Sequence, residues 1–539
     1  MKNKVFVKGT IVLILCNLIG KVIGVLYRLP LVKIIGSVGM GQYQLTFPLY
    51  CLILTISTSG IPVAISKLVA EYNTNNRCFD SKRLLKVSVL ILSLISFLGA
   101  VVVVLFARQI SSAQGNPGAY ICYYGIAPAI LFVGVLSAFR GYFQGNLKMF
   151  PTAISGLVEQ LFKLVFGLYF AKRLLVYGVE YAVFGALVGV SVSELVACVF
   201  LFVCYVFYAK KHKVAKTKEC LRYSQLSRQL LGLSVPATFS SIISPITTMV
   251  DSFLVVNLLM IVGFSSGKAT MLLGLQSGVV EPLVNIPVII SVSISASILP
   301  NVSRLVAKHN SRSSFELKGL IEKAYQICLS ISVACFICFI IFGKQALDFL
   351  YGNSFDKSEL LVGTRLLFFG AINIVFLSLV QVTTGIMQGI GEHKYAVKSL
   401  MFGSGIKLVS ETVLLLIKSV NIYGVVISGG LCYVVVLLLN YKKIKRVSGA
   451  SLKESVLFVS VQSAVICLVA YLSNMLFVFV FNETISMFIA GMITVAVFAA
   501  SYYVLFVMRD KDDGKAIWKG KLTWKLWRNL LKLWHEYIY

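Results

Sequence analysis

Two lysine–glutamate pairs with the same four-residue spacing, Glu159 with Lys163 and Lys407 with Glu411, stand inside long apolar stretches of this sequence. On a helix that spacing puts both side chains on one face, so each pair either neutralises itself or presents its lysine to something else. Three more acids, Glu194, Asp251 and Glu281, and two more cations, Lys21 and Arg365, have equally apolar surroundings. A charge near the middle of a bilayer costs at least about 2.5–3.5 kcal/mol, so such residues face a partner or a wet cavity. Lysines lining a cavity bind an anion. Other chemistry has little to stand on. The C-x-x-C of Cys335 and Cys338 encloses Phe336 and Ile337 and reads as small buried hydrophobes rather than a redox or metal site. No G-x-x-x-x-G-K-[ST] loop offers ATP a cradle.

The elements that hold these charges follow from composition. Of 539 residues, 58% are hydrophobic and 13% charged, where soluble domains carry roughly 25% charged. Runs such as Val5 to Leu26, Val87 to Phe106, Tyr181 to Tyr208 and Met487 to Met508 each reach the roughly 20 residues of a bilayer crossing. Apolar runs separated by polar turns number about 14, beginning near residues 5, 43, 84, 120, 151, 180, 231, 275, 322, 361, 396, 421, 456 and 484. The chain is therefore expected to be an all-α polytopic membrane protein. Lys2, Lys4 and Lys8 before the first run imitate a signal peptide, but the first alanine is Ala64, so this run is read as a retained helix.

With a cytoplasmic N-terminus, the inside segments are 1–8, 67–86, 140–150, 209–230, 301–323, 388–398, 441–455 and 509–539. They hold 37 of the 50 Lys and Arg residues, against nine in the outside connections. That asymmetry puts both termini in the cytoplasm. The formal charge of +29 is then explained by topology and anionic lipid headgroups rather than by nucleic acid. Trp518, Trp524, Trp527 and Trp534, interleaved with lysines, suggest an interfacial helix over 509–539.

The chain also repeats itself. SKLVAEYN (66–73) matches SRLVAKHN (303–310), and Gly141, Gln144, Gly145, Lys163, Leu164 and Val165 recur 244 positions later as Gly385, Gln388, Gly389, Lys407, Leu408 and Val409. Two pseudo-twofold lobes of six helices are expected, 1–215 and 216–445, followed by two further helices in 446–508 and the basic tail. Such a pair encloses the substrate site of an alternating-access transporter, with Lys163 and Lys407 facing each other across it. Gly20, Gly24 and Pro30, Gly60 and Pro62, and Pro282 and Pro287 interrupt the spans. They serve as bends for that motion or are the ordinary glycine and proline of membrane helices.

Four blocks, GKVIGVLYRLPLVKIIGSVGMGQYQ (20–44), STSGIPVAISKLVAEY (57–72), FRGYFQGNLKMFPTAISGLVEQLFK (139–163) and EPLVNIP with SILPNVSRL (281–305), together resemble the MurJ and SpoVB branch of the multidrug/oligosaccharidyl-lipid/polysaccharide exporter superfamily. The resemblance implies a flippase with 14 helices that moves an undecaprenyl-diphosphate-linked saccharide, typically lipid II, from the inner to the outer leaflet. It implies that Lys21 and Arg28 engage the diphosphate, while Leu54 and Pro282 stand about where other family arginines are found. Lys163, Arg365 and Lys407 are expected to share that cationic role, with Glu159, Glu281 and Glu411 as their charge partners in the cavity. Asp251 resembles an acid that binds Na⁺ in relatives, which makes Na⁺ or H⁺ the candidate coupling ion; no cofactor or firm metal site is expected.

Membrane potential alone could drive such a cycle, since moving one charge outward is worth about 2.3 kcal/mol per 100 mV. The rival readings are a flippase for another polysaccharide or O-antigen unit, a cation-coupled multidrug exporter, and an integral-membrane glycosyltransferase, for which the outside loops are too short. Expected partners are the lipid-linked glycan, anionic lipids, and cell-wall or sporulation proteins, with the chain a monomer. The topology is checked by single cysteines placed at Lys216 and Lys515. Both should resist an impermeant thiol reagent in intact cells and react after permeabilisation; labelling of either in intact cells rejects the inside assignment.

Overall fold

The computed structural model describes residues 2–75, 77–211, 221–307, 311–480 and 482–512, and among them the chain is helical with no strand. In chain order the helices are α1 (Lys2–Thr58), α2 (Ile61–Thr74), α3 (Cys78–Ala113), α4 (Tyr120–Gly145), α5 (Met149–Leu174), α6 (Val179–Lys211), α7 (Tyr223–Ile261) and α8 (Ser266–Leu273). A π-helical turn over Gly274–Val280 leads into α9 (Glu281–Ala307). Then come α10 (Ser311–Tyr351), α11 (Lys357–Ile390), α12 (His393–Leu415), α13 (Tyr423–Ser448), α14 (Lys453–Val480) and α15 (Glu483–Asp512). The tryptophan-rich tail, from residue 513 on, lies outside the described residues.

Twelve segments are long and apolar enough to cross a membrane. One of them, Leu15–Thr74, has 60 residues; that is about 90 Å of helix against a hydrocarbon core of about 30 Å, so it holds two crossings. The break falls at Gly36, whose φ of 68° and ψ of −173° suit glycine alone. α12 is missing from the twelve because Lys394, Lys398, Lys407 and Glu411 interrupt its apolar run, yet it packs against α13 and α7 like its neighbours. Counting both gives the fourteen crossings expected. The largest shift of a boundary is at α10, which starts at Ser311 rather than near residue 322. Its first turns mix Phe315 and Leu317 with Glu316 and Lys318, an amphipathic start invisible to a count of apolar runs.

The repeat is visible in how helices touch. Gly141 and Gly145 of α4 lie against α2, where an added Cβ would come within 2.8 Å of the Pro62 carbonyl oxygen and 2.7 Å of that of Ser66. Gly385 and Gly389 of α11 lie against α9 in the same manner, pressed on Ser295 and, at 2.8 Å, on Val302. Close backbone approach through small residues drives helix association in lipid, where burying apolar surface gains nothing.

The two halves of the chain meet in a polar seam at the end that the basic residues assign to the outside. Ser37 Oγ donates to Glu359 (2.5 Å), Gln114 Nε2 to Ser252 Oγ (3.0 Å), Asn116 Nδ2 to Thr270 Oγ1 (2.9 Å) and Ser266 Oγ to the Gly115 carbonyl (2.6 Å). Gly41 fits against the Thr270 backbone, and Gly274 of the π turn against Ser37 and Gly41. At the opposite end α7 is tied to the first half: Leu226 and Leu230 join the core of α2, α3, α4 and α6, Tyr72 hydrogen-bonds Gln229, and Arg83 donates to the Leu221 carbonyl (2.6 Å). Gly41→Ala or Gly274→Ala should force the seam apart and destabilise the purified protein by about 1–3 kcal/mol, read as a lower melting temperature. Gly156→Ala, whose Cβ meets nothing within 4 Å, should be neutral or slightly stabilising. Equal melting temperatures for all three would reject the seam as a close-packed joint.

Candidate functional site

Inside the first half, α5 carries Lys163 against α1. Its ammonium stands 5.3 Å from the centroid of the Tyr27 ring and 5.0 Å from that of Phe47, with Tyr27 buried at 2% exposure. Aromatic faces attract a cation electrostatically without neutralising it. Among the described residues no carboxylate lies within 4 Å of this ammonium. The expected ion pair with Glu159 is therefore not made. Glu159 Oε2 instead receives the Arg140 guanidinium at 2.8 Å, Arg140 Nε reaches Ser155 Oγ at 3.1 Å, and Gln160 donates to Glu159 Oε1 at 3.0 Å. The four-residue rule places two side chains on one face but is blind to a third arriving from another helix. A planar guanidinium that can bond both Ser155 and Glu159 is the better partner for the acid.

Arg140 escaped the sequence reading because it was counted in an inside segment; α4 in fact continues to Gly145, five residues beyond it, and keeps it more than one turn inside the helix. Glu194 of α6 is another buried group outside the expected site, accepting a hydrogen bond from Tyr50 OH at 2.6 Å. Arg28 is half-buried on α1 and lies within electrostatic reach of Lys163 on one side and of Glu281, from the other half of the chain, on the other.

In the second half the geometry is different. The Lys407 ammonium is hydrogen-bonded to Asp251 of α7 and lies 3.6 Å from Glu411 Oε2, which also accepts a bond from Ser428 Oγ at 3.4 Å. Lys407 is thus held between two carboxylates and is not the mirror of Lys163, although the two share a repeat position. Glu281, the first residue of α9, is exposed and within electrostatic reach of Lys407, Arg28 and Asp251.

Two of the expected cavity cations, Lys21 and Arg365, are exposed. Lys21 is exposed on α1, on the stretch where Gly20 and Gly24 pass Gln160 of α5. Arg365 lies on the exposed stripe of α11 with Leu361, Phe368 and Ile372, about 12 Å along the helix from Lys357. On a helix of 34 residues, about 51 Å long, that is near the headgroup boundary, within reach of water for a long side chain.

The charges are consequently distributed unevenly between the halves. Arg28, Arg140 and Lys163 face two acids, Glu159 and Glu194, in the first half, while Lys407 faces three, Asp251, Glu281 and Glu411, in the second. Among the described residues no cluster of side chains is arranged to hold a metal ion.

Known proteins resemble the chain over most of its length. It is 28% identical to stage V sporulation protein B of Bacillus subtilis (strain 168), over 66% of this chain and 68% of that protein, and 28% identical to the lipid II flippase MurJ of the same organism, over 83% and 84%. A solved structure titled lipid II flippase MurJ, inward closed conformation, superposes with a TM-score of 0.69 at 16% identity, covering 94% of this chain and 100% of that one. The family described as "Polysaccharide biosynthesis protein" matches residues 6–306, more than half of the sequence, and this chain belongs to that family, with a fold it shares with the lipid II flippase.

Proposed function

We propose that this protein is a flippase that moves an undecaprenyl-diphosphate-linked saccharide, lipid II in the first instance, from the inner to the outer leaflet by alternating access of the lobes 1–215 and 216–445. The observation that carries the reading is the Lys163 ammonium, seated on two aromatic rings inside the membrane, beside Arg28 and without a carboxylate of its own. A cation so expensive to retain is explained by an anion that visits it. The similarity to stage V sporulation protein B and to MurJ supports a lipid-linked glycan as that anion's carrier.

Lys407 takes a different role in this reading. Already bound to Asp251 and Glu411, it positions α12 against α7 rather than gripping the diphosphate. Its ammonium supplies a positive charge where the resemblance places a coupling cation at Asp251. Membrane potential acting on the anionic substrate is accordingly the preferred driving force.

The two lysines should separate cleanly on substitution. Lys163→Ala should insert and fold normally but fail to support growth as the only flippase of a depleted cell, with lipid-linked precursor accumulating in the inner leaflet and Lys163→Arg partly active. Lys407→Met should instead lower abundance and stability by about 3–5 kcal/mol, because it strands two buried acids. Adding Asp251→Asn and Glu411→Gln should restore abundance. Normal growth of the Lys163→Ala strain would overturn the flippase reading, and a stable Lys407→Met protein without transport would return Lys407 to the substrate site.

A further inference from the structure

Of the five intramembrane acids, Glu159 is held by Arg140, Glu194 by Tyr50, and Asp251 and Glu411 by Lys407. Glu281 alone among these described residues has neither a hydrogen bond nor an ion pair, and its side chain is exposed. An ionised carboxylate is not left bare in hydrocarbon, so Glu281 faces the wet cleft, opposite Arg28. Its placement is set by the backbone. The π turn Gly274–Val280 ends at Glu281, and Gly274 and Gly278 of that turn are pressed on Ser37 and Met40 of α1, so the acid is displayed where α9 leaves the seam. Short π segments inside helices recur at functional sites.

Further down α9 the exposed face turns polar. Ser293, Ser297 and Asn301 are exposed, and each spends a donor on its own helix: Ser293 Oγ on the Ile289 carbonyl (3.0 Å), Ser297 Oγ on that of Ile294 (2.9 Å) and Asn301 Nδ2 on that of Ser297 (3.2 Å). The oxygens of all three remain free to accept. These three lie about 120–200° around α9 from Glu281, on a separate stripe, whereas Glu281 itself is within electrostatic reach of Arg28 and Lys407. A ligand that satisfies Arg28 and Glu281 together carries an anion and, near it, a cationic donor.

Resting on the flippase reading above, we infer that Glu281 selects a lipid-linked saccharide bearing a protonated amine. The test uses the purified full-length protein and three probes: undecaprenyl diphosphate, lipid II with a free lysine amine in its stem peptide, and the same lipid II with that amine acetylated. Binding is read by native mass spectrometry. The wild type should prefer the free amine by about tenfold, in line with a hydrogen bond to a charged group. Glu281→Gln should bind the two forms equally, and a melting temperature equal to that of the wild type shows that the variant is folded. Equal affinity of the wild type for the two forms, or a preference that survives Glu281→Gln, would overturn the inference. If Glu281→Gln weakens both forms alike, Glu281 reads a neutral donor and the amine assignment is wrong. Failure of all three probes to bind the wild type would instead overturn the flippase reading, and this inference with it.

Discussion

Hydrocarbon tolerates a charge only beside a counter-charge or water, and the interior of this protein is arranged around that constraint. Arg140 exists inside α4 because Glu159 and Ser155 meet it; Lys407 exists inside α12 because Asp251 and Glu411 do. These closed groups fix helix to helix: α4 to α5 in the first half, α12 to α7 in the second. The charges left over, Lys163, Arg28 and Glu281, are those without such closure. Pairing thus sorts the polar residues into those closed on one another, which hold the bundle together, and those left open.

The same solvent dictates how the helices touch. Where burying leucine against leucine gains little over leucine against lipid, shape has to do the joining. The glycines of α4 and α11 bring backbone to backbone within each half, and Gly41 and Gly274 do so between the halves. The seam adds hydrogen bonds among Ser37, Gln114, Asn116, Thr270 and Glu359. A joint made of small residues and hydrogen bonds, of which only that of Ser37 goes to a carboxylate, can separate and close again without breaking an ion pair.

Much of this was legible in the sequence. Apolar runs gave the helices, and α12 was recovered despite its four charges because turns flank it on both sides. The repeat pointed to glycines that prove to occupy equivalent contacts. What sequence spacing could not supply was the third dimension. Glu159 and Lys163 satisfy the helical rule yet part company, because Arg140 arrives from a different helix. Lys163 and Lys407 share a register yet differ in state, because α7 brings an acid to one and α1 brings rings to the other.

The seat of Lys163 also bears on tempo. An ammonium resting on ring faces is held by an attraction of about 0.5–2 kcal/mol with no preferred bond direction, so in the proposed flippase cycle it would swing toward the phosphate of the lipid without first breaking a salt bridge, and settle back when the lipid leaves. Affinity in related complexes is tuned chiefly through the rate of departure, and a carrier that must let go on every cycle is better served by a short residence time than by a tight grip. The Tyr27 and Phe47 platform therefore favours turnover over retention, which a carboxylate in the same place would reverse.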